Sequence, residues 1–310
     1  MEEPIKNKNI TIKKPLWLKT PIAKGETYFK IKKSLRTRKL VTVCEEAKCP
    51  NISGCWNTGT ATFMILGDTC TRACRFCHIK TGNPGGWTDP NEPLHVAQSV
   101  KEMNLKYLVL TMVDRDDLED GGASHIQKVI SAVKKLNPEV KIEILSGDFC
   151  GNEKTLQTLL SLDLQVFSHN IETVKRLSPR VRDARASYEK SLAVLSFMKK
   201  NKTKENFFTK SSLMLGLGES YEEIIEALRD LRKNNVDLVT LGQYMQPTKK
   251  HLSIKKWIDP QTFYKLKVEA KKMGFLGIAS GPLVRSSYKA FEFFVDSQTK
   301  LDSIKEEALI

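Results

Sequence analysis

Short runs of apolar residues alternate with amphipathic stretches along most of the chain. The apolar runs predict strands at residues 61–66, 107–112, 141–145, 164–168, 207–215, 236–241 and, more weakly, 275–279. Between them, apolar residues recur at helical spacing near residues 94–103, 123–136, 153–161, 186–200, 219–234 and 260–273. This alternation is typical of a parallel sheet with crossover helices. Six clear β–α units predict an α/β fold, a partial (β/α)6 barrel of the TIM type.

Polar side chains follow several of the predicted strands at their carboxyl ends, where barrels of this kind place their chemistry. Asp114 follows the second strand, Asn170 and Glu172 follow the fourth, and Gln243 and Tyr244 follow the sixth. Their carboxylate, amide and hydroxyl groups suit a small polar ligand at the barrel mouth. Solvated turns and helix caps explain the same residues, so the sequence leaves both interpretations open.

Six of the seven cysteines lie within 34 residues, in two triplets with the spacings C-x4-C-x5-C and C-x3-C-x2-C. The triplets are Cys44, Cys49 and Cys55, and Cys70, Cys74 and Cys77. Three thiolates leave one iron of a [4Fe–4S] cluster open to another ligand, so the pattern predicts two metal clusters. Disulfides and structural zinc, with His78 as a further ligand, are the alternatives. Cys150 stands alone after an apolar run, and we interpret it as a core residue.

Composition and charge limit the class of protein. A chain of 310 residues with 40% hydrophobic residues buries a large core and suits one main domain with appendages. Since no apolar run approaches the roughly 20 residues of a membrane span and no signal peptide is evident, we expect a soluble cytoplasmic protein. The net charge of +14 and the basic residues 6–40, expected to form a weakly structured arm, favour an acidic protein partner. Motifs of nucleic-acid modules are absent.

A series of sequence segments together resembles the lipoyl synthase family of the radical S-adenosylmethionine (SAM) enzymes. The segments are TVCEEAKCPNISGCW, GTATFMILGDTCTRACRFCHI, VDRDDLEDGGA, HNIETV, GLGES, GQYMQPT and GPLVRSSY, and the resemblance runs from about Pro15 to Ala290. It implies two clusters of the [4Fe–4S] type. The second triplet would hold the cluster that binds and cleaves SAM, and the first would hold an auxiliary cluster that donates sulfur.

The resemblance also implies roles for residues outside the triplets. A serine of the RSSY motif would complete the auxiliary cluster; we assign Ser287, with Ser286 as the alternative, and expect Arg285 to tune the charge of that cluster. We assign Asp114, Asn170 and Arg182 to the SAM pocket. The implied reaction is that of a sulfurtransferase, which inserts sulfur at carbons 6 and 8 of an octanoyl group on a carrier lysine. Implied partners are E2 subunits, the glycine-cleavage H protein and an electron donor such as ferredoxin or flavodoxin.

On this interpretation the chain has three segments. Residues 1–58 are the basic arm with the auxiliary-cluster segment, residues 59–280 are the radical SAM barrel, and residues 281–310 close the auxiliary cluster. Another sulfur-inserting radical SAM enzyme and a non-catalytic iron–sulfur scaffold are the alternative functions. The position of the first triplet before the radical motif argues against the former. A six-unit barrel with ligand-like strand ends argues against the latter.

Overall fold

The computed structural model describes residues 13–20, 25–38, 40–57, 62–202, 204 and 206–307. The strands are β1 Val41–Thr42, β2 Thr62–Ile65, β3 Thr69–Cys70, β4 Lys80–Thr81, β5 Tyr107–Met112, β6 Lys141–Leu145, β7 Val166–Ser168, β8 Phe208–Leu215, β9 Leu238–Gln243 and β10 Gly277–Gly281. The α-helices are α1 Glu26–Thr37, α2 Val43–Glu46, α3 Ile52–Asn57, α4 Glu92–Glu102, α5 Ala123–Leu136, α6 Glu153–Leu160, α7 Ser178–Val181, α8 Tyr188–Asn201, α9 Tyr221–Lys233, α10 Pro260–Lys272 and α11 Ala290–Glu307. Short 3-10 helices cover Leu16–Leu18, Phe149–Gly151 and Lys175–Leu177.

Eight strands form one sheet in the order β1-β2-β5-β6-β7-β8-β9-β10. All neighbouring pairs from β2 to β10 are parallel, and β1 adds antiparallel to β2 at one edge. Within the described residues no strand pairing joins β10 to β1 or β2, so the barrel is open. Six crossovers with helices connect the parallel strands, which confirms the predicted partial barrel. The strands β3 and β4 form a separate pair in the cysteine loop.

The predicted elements match best where the apolar pattern is strong. The strands β5 and β6 have the predicted bounds, and β5 is buried along almost its whole length, as expected of a strand covered on both faces. The helix α5 also has the predicted bounds, and its apolar face buries Ile126, Val129 and Val133. Residue 61, at the start of the first predicted strand, lies outside the described residues.

The N-terminal region contains a helix where the composition predicted weak structure. Tyr28, Ile31 and Leu35 lie on one face of α1, where they are buried and join the core. The ring of Tyr28 lies 5.0 Å from that of Trp56 in α3. The expectation of a weakly structured arm is therefore wrong for residues 26–37, because a few spaced apolar residues outweigh many surface lysines. Residues 6–12, 21–24 and 39 lie outside the described residues.

The amino-terminal end of the barrel is covered by α11, a helix that the sequence analysis did not identify. Phe294 packs against Tyr107 and Phe208, in β5 and β8, with ring centroids 5.4 and 5.9 Å apart. Beneath this helix the buried Lys210 ammonium pairs with Glu143 at 2.8 Å. The Tyr107 hydroxyl donates to the same carboxylate, also at 2.8 Å. The opposite, carboxyl end of the sheet carries the cavity described next.

Candidate metal centre and substrate cavity

A cavity of about 460 Å³ opens at the carboxyl ends of the parallel strands. The second cysteine triplet contributes all three of its thiol side chains to the wall, from Cys70, Cys74 and Cys77. The residues assigned to the SAM pocket, Asp114, Asn170 and Arg182, line the same cavity. The fold therefore brings together side chains that lie more than 100 residues apart in the sequence.

The loop that carries the second triplet is fixed to the neighbouring strand ends. The backbone N–H of Thr71 donates to the carbonyl of Asp114 at 2.9 Å. Two residues further along, Ala73 donates its backbone N–H to the carboxylate of Asp183 at 2.8 Å. These contacts set the position of the loop over the cavity.

Arg72 lies between two of these cysteines and is buried beneath the loop, with 4% of its surface exposed. Its Nη2 donates to Asp148 Oδ1 at 2.7 Å and to Asp116 Oδ1 at 2.8 Å. Burial opposes ionisation of Asp116, but hydrogen bonds from Arg72 and Thr71 outweigh it and hold the pKa of Asp116 at about 2. The sequence analysis missed both Arg72 and Asp148, because neither matches a local motif and their contact spans 76 residues.

The cysteines of the second triplet are half-buried, and their thiols accept hydrogen bonds from the backbone. The N–H donors are Arg72 to Cys70 at 3.4 Å, Asp183 to Cys74 at 3.3 Å, and Ile79 to Cys77. Burial raises the pKa of Cys74 to about 12 and that of Cys77 to about 11. Such thiols are protonated at neutral pH in the metal-free protein, and metal binding displaces their protons. Hydrogen bonds to the sulfurs are one means by which proteins tune iron–sulfur clusters.

The rest of the cavity wall contains an amide, carboxylate groups and a guanidinium group. Asn170 Nδ2 donates to Glu172 Oε1 at 3.1 Å, whereas Asn170 Oδ1 is buried without a hydrogen-bond partner in the described part of the chain. Arg182 Nη1 donates to Ser191 Oγ at 2.8 Å. Burial raises the pKa of Asp114 to about 6, against the opposing effect of Arg72. A ligand with an amino group and a carboxylate group therefore meets acceptors and a cation here.

The first triplet lies beside the C-terminal RSSY segment, outside the cavity wall. Asn51, between two of its cysteines, donates Nδ2 to the carbonyl of Leu283 at 2.6 Å. Thr62 contacts the Cys44 thiol through its backbone, and its hydroxyl donates to Ser287 Oγ at 3.0 Å. One residue of β2 thus contacts both a thiol of the triplet and the serine assigned to its cluster.

Other contacts hold the same segment against the triplet. The Cys55 thiol accepts a hydrogen bond from the backbone N–H of Lys289. Burial lowers the pKa of Arg285, and the nearby Cys49 thiol acts in the opposite direction. Arg285 Nη2 is buried with no hydrogen-bond partner among the described residues. Gly242 permits this approach, because a Cβ atom there would lie 2.1 Å from the Val284 carbonyl oxygen.

The two cysteine triplets fit iron–sulfur clusters better than they fit single metal ions or disulfides. All seven cysteines are free. In the described ranges, no group of three or more His, Cys, Asp or Glu side chains is placed to hold one metal ion. Structural zinc needs four donors around one ion, and His78 instead directs Nδ1 to the Glu46 carbonyl at 2.8 Å. A cluster of four irons spreads its thiolates over several metal atoms, and within each triplet the thiols lie near enough to raise one another's pKa.

Cys150 is exposed, so its interpretation as a core residue is wrong. The apolar run ends with β6 at Leu145, and Cys150 follows on a 3-10 turn with a φ of 53°. Its thiol contacts Asp116 Oδ1 at 3.4 Å. An apolar run before a cysteine does not indicate burial once a turn intervenes.

Comparison with known proteins bears on the identity of this site. The sequence profile described as the Radical SAM superfamily matches residues 64–231, and the profile for the N-terminal domain of lipoyl synthase matches residues 2–49. The lipoyl synthase of Legionella pneumophila (strain Paris) is 52% identical over 289 residues, which cover 93% of this chain and 87% of that protein. The chain belongs to the lipoyl synthase family. This confirms the family predicted from the sequence segments.

Two further lipoyl synthases show the range of the similarity. The lipoyl synthase of Thermus thermophilus is 50% identical over 284 residues, covering 92% of this chain and 87% of that protein. The apicoplast lipoyl synthase of Plasmodium knowlesi is 53% identical over 285 residues, covering 92% of this chain and 64% of that protein. This chain therefore spans less than two thirds of the Plasmodium relative.

Two solved structures share the fold at low sequence identity. The hydrogenase maturase HydG from Carboxydothermus hydrogenoformans matches with a TM-score of 0.56 at 15% identity, covering 77% of this chain and 56% of HydG. Methylornithine synthase, PylB, matches with a TM-score of 0.51 at 15% identity, covering 83% of this chain and 71% of PylB. Both agree with the open barrel. Across the described residues, no helix is long and apolar enough to cross a bilayer.

Proposed function

We propose that this chain inserts two sulfur atoms, at carbons 6 and 8, into an octanoyl group carried on a lysine of an acidic domain. Membership of the lipoyl synthase family supports a radical SAM sulfurtransferase reaction. The observation that carries the proposal is the position of the two triplets. One lies in the wall of the cavity, and the other lies behind that wall against the RSSY segment.

Two [4Fe–4S] clusters and SAM are the proposed cofactors. Cys70, Cys74 and Cys77 would hold the first cluster, and Asp114, Asn170 and Arg182 would orient SAM beside it. When bound, the cluster and SAM would supply radical chemistry able to remove hydrogen from an unactivated alkyl carbon, which acid–base side chains do not achieve. The wall also contains apolar side chains, Met64, Leu213 and Val284 among them, which suit an alkyl chain and exclude water.

The auxiliary cluster is proposed to have an oxygen ligand. Cys44, Cys49 and Cys55 would supply three ligands and Ser287 the fourth, because Ser287 shares Thr62 as a contact with Cys44. A serine oxygen would be displaced from a cluster iron more readily than a thiolate, which would suit a cluster that serves as a sulfur donor. Arg285, beside Cys49, would offset the negative charge of the thiolates. Ser286 lines the cavity and remains the alternative ligand.

Partners and location follow from the same proposal. The acyl carriers are E2 subunits and the glycine-cleavage H protein, and the electron donor is a ferredoxin or a flavodoxin. A net charge of +14 suits all of these if they are acidic. Cytoplasmic location stays a prediction, since a relative from Candida tropicalis is named as mitochondrial and others as apicoplast proteins.

A pair of serine variants tests the assignment. Ser287→Ala and Ser286→Ala are reconstituted anaerobically with iron and sulfide and supplied with dithionite, SAM and an octanoyl-lysine peptide. We expect Ser287→Ala to form 5′-deoxyadenosine but to lose most lipoyl product, because only the auxiliary cluster changes. Ser286→Ala is expected to keep lipoyl formation. Wild-type product levels in Ser287→Ala would contradict the ligand assignment, and a wild-type protein without sulfur transfer would contradict the function.

A further inference from the structure

Two short segments of the cavity wall, residues 47–48 (the first edge) and residues 245–247 (the second edge), are linked by a pair of histidines. His78 lies against the first edge, with Nδ1 2.8 Å from the Glu46 carbonyl oxygen. His251 lies just beyond the second edge in the sequence, and its ring is 5.7 Å from that of His78. The two histidines thus connect the edges next to the cysteine loop.

The segment that follows the second edge, residues 248–256, is held firmly beside the cavity. His251 Nε2 lies 2.9 Å from the Cys77 carbonyl oxygen. Leu252 donates its backbone N–H to the Arg75 carbonyl at 3.3 Å, and Lys255 donates its N–H to the Gly216 carbonyl at 2.8 Å. Because both the cysteine loop and the end of β8 fix this backbone, the segment keeps a defined position next to the cavity wall.

Segment 248–256 carries four lysines in the sequence TKKHLSIKK, and all four are exposed: Lys249, Lys250, Lys255 and Lys256. The ion pairs found in the described part of the chain engage other lysines. On the first edge, Lys48 also lines the cavity, but Glu45 and Glu46 precede it. Lys14 and Lys48 are thus the exposed lysines of the cavity wall itself, and the densest group of exposed lysines beside it is in segment 248–256.

Size determines what can enter this mouth. A cavity of about 460 Å³ holds a small molecule or an acyl-lysine arm, whereas a folded carrier domain is far too large. When the arm is inside, the surface of the domain around its lysine must lie on the rim of the mouth. The side chains on that rim then decide which carrier surfaces bind well.

We propose that segment 248–256, with Lys249 and Lys250 as its main contacts, is the docking surface for the acidic face of the folded acyl-carrier domain. The inference rests on the proposed function, because it assumes a protein-bound octanoyl-lysine as substrate. Opposite charges on the two faces steer the encounter and set the orientation, so that the acylated lysine points into the cavity. The surface recognises the carrier domain, and the cavity recognises the acyl chain.

The test compares two substrates in the double variant Lys249→Glu/Lys250→Glu. One substrate is a folded, acidic, octanoylated carrier domain, and the other is a short uncharged octanoyl-lysine peptide. Dithionite reduces the enzyme in every assay, so no protein electron donor takes part. The matched control is Lys265→Glu/Lys267→Glu, which reverses two exposed lysines on α10 and makes the same change in net charge.

We expect the Lys249→Glu/Lys250→Glu variant to lose about tenfold or more in the second-order rate constant for single-turnover modification of the carrier domain at low salt, mainly through weaker binding of the carrier. The loss should shrink as salt increases, because exposed charges are screened. The same rate constant for the peptide should fall much less, and the control variant should match the wild type on both substrates.

Each contrary result has its own meaning. Equal losses of rate with the carrier domain and with the peptide would show that the substitutions damage the cavity. An unchanged rate with the carrier domain would place the docking surface elsewhere. Either result would overturn the inference. A similar loss in the control variant would also overturn it, because net charge alone would then explain the effect. These results require an active wild-type enzyme, so failure of the proposed function would be recognised separately, as a wild type that modifies neither substrate.

Discussion

Replacement of Arg72 by glutamine should destabilise the cysteine loop and the adjoining strand ends. The guanidinium bridges Asp116 and Asp148 from a position between Cys70 and Cys74. Asp148 has no exposed surface, and its other hydrogen bond comes from the backbone N–H of Cys150 at 2.9 Å. Without the arginine, the Asp148 carboxylate would remain buried next to a single neutral donor.

The magnitude follows from that burial. Removing one partner of a buried ion pair costs about 3 to 5 kcal/mol, and we expect the lower value because Asp148 keeps one hydrogen bond. For a chain of 310 residues, such a loss corresponds to a decrease in Tm of roughly 5 °C. A double variant with Asp148→Asn should recover about half of the loss, because the buried charge is then gone.

The assay is a thermal scan of the cluster-free protein at a fixed rate, with Arg185→Gln as the matched control. Arg185 also contacts Asp116, at 3.1 Å, but its side chain is 47% exposed. Such a pair contributes about 1 kcal/mol or less. If Arg72→Gln lowers Tm no more than Arg185→Gln does, or if Asp148→Asn gives no recovery, the argument from burial is refuted.

Three further predictions concern other parts of the fold. Lys210→Met should lower the unfolding free energy by about 3 to 5 kcal/mol in denaturant titrations, because the Glu143 carboxylate stays buried without its partner. Adding Glu143→Leu should restore much of the lost stability, and additive losses from the two substitutions would contradict this explanation. Phe294→Ala should lower Tm through the loss of about 3 kcal/mol of packing energy. Phe291 is 38% exposed, so Phe291→Ala should lower Tm less. Equal decreases in Tm would contradict the packing role of α11. Cys150→Ser should change stability by less than about 0.5 kcal/mol, whereas a loss typical of core cysteines would restore the core interpretation.

The parts of the fold that could be predicted are those where one local pattern dominates. In β5, continuous apolar residues specify a buried strand, and in α5 the apolar residues repeat at helical spacing. The helix α1 was hidden because its many lysines and arginines outnumber the three residues that anchor it. Its partner Trp56 lies 28 residues away from Tyr28 and is not evident from a local pattern. Similarly, α11 is anchored by Tyr107 and Phe208, which are remote in the sequence.

The candidate site shows the same division between local and long-range information. The cysteine spacings are local, so both triplets could be identified at once. The strand-end position of Asp114 and Asn170 also suggested their place in the cavity. The links between the first triplet and the RSSY segment join residues more than 200 positions apart, and only the family resemblance pointed to them. The pairing of Arg72 with Asp148 had no signal in the sequence, because arginine and aspartate occur throughout the surface loops.

On the proposed function, the auxiliary cluster held by this chain supplies both sulfur atoms to an octanoyl-lysine. The most direct measurement is reconstitution with iron and ³⁴S-labelled sulfide, removal of free sulfide, and mass spectrometry of an octanoyl-lysine peptide after one turnover with SAM and dithionite. The account predicts a peptide that has gained two labelled sulfur atoms, together with 5′-deoxyadenosine. Cleavage of SAM with an unmodified peptide, or a peptide that gains only unlabelled sulfur, would contradict it.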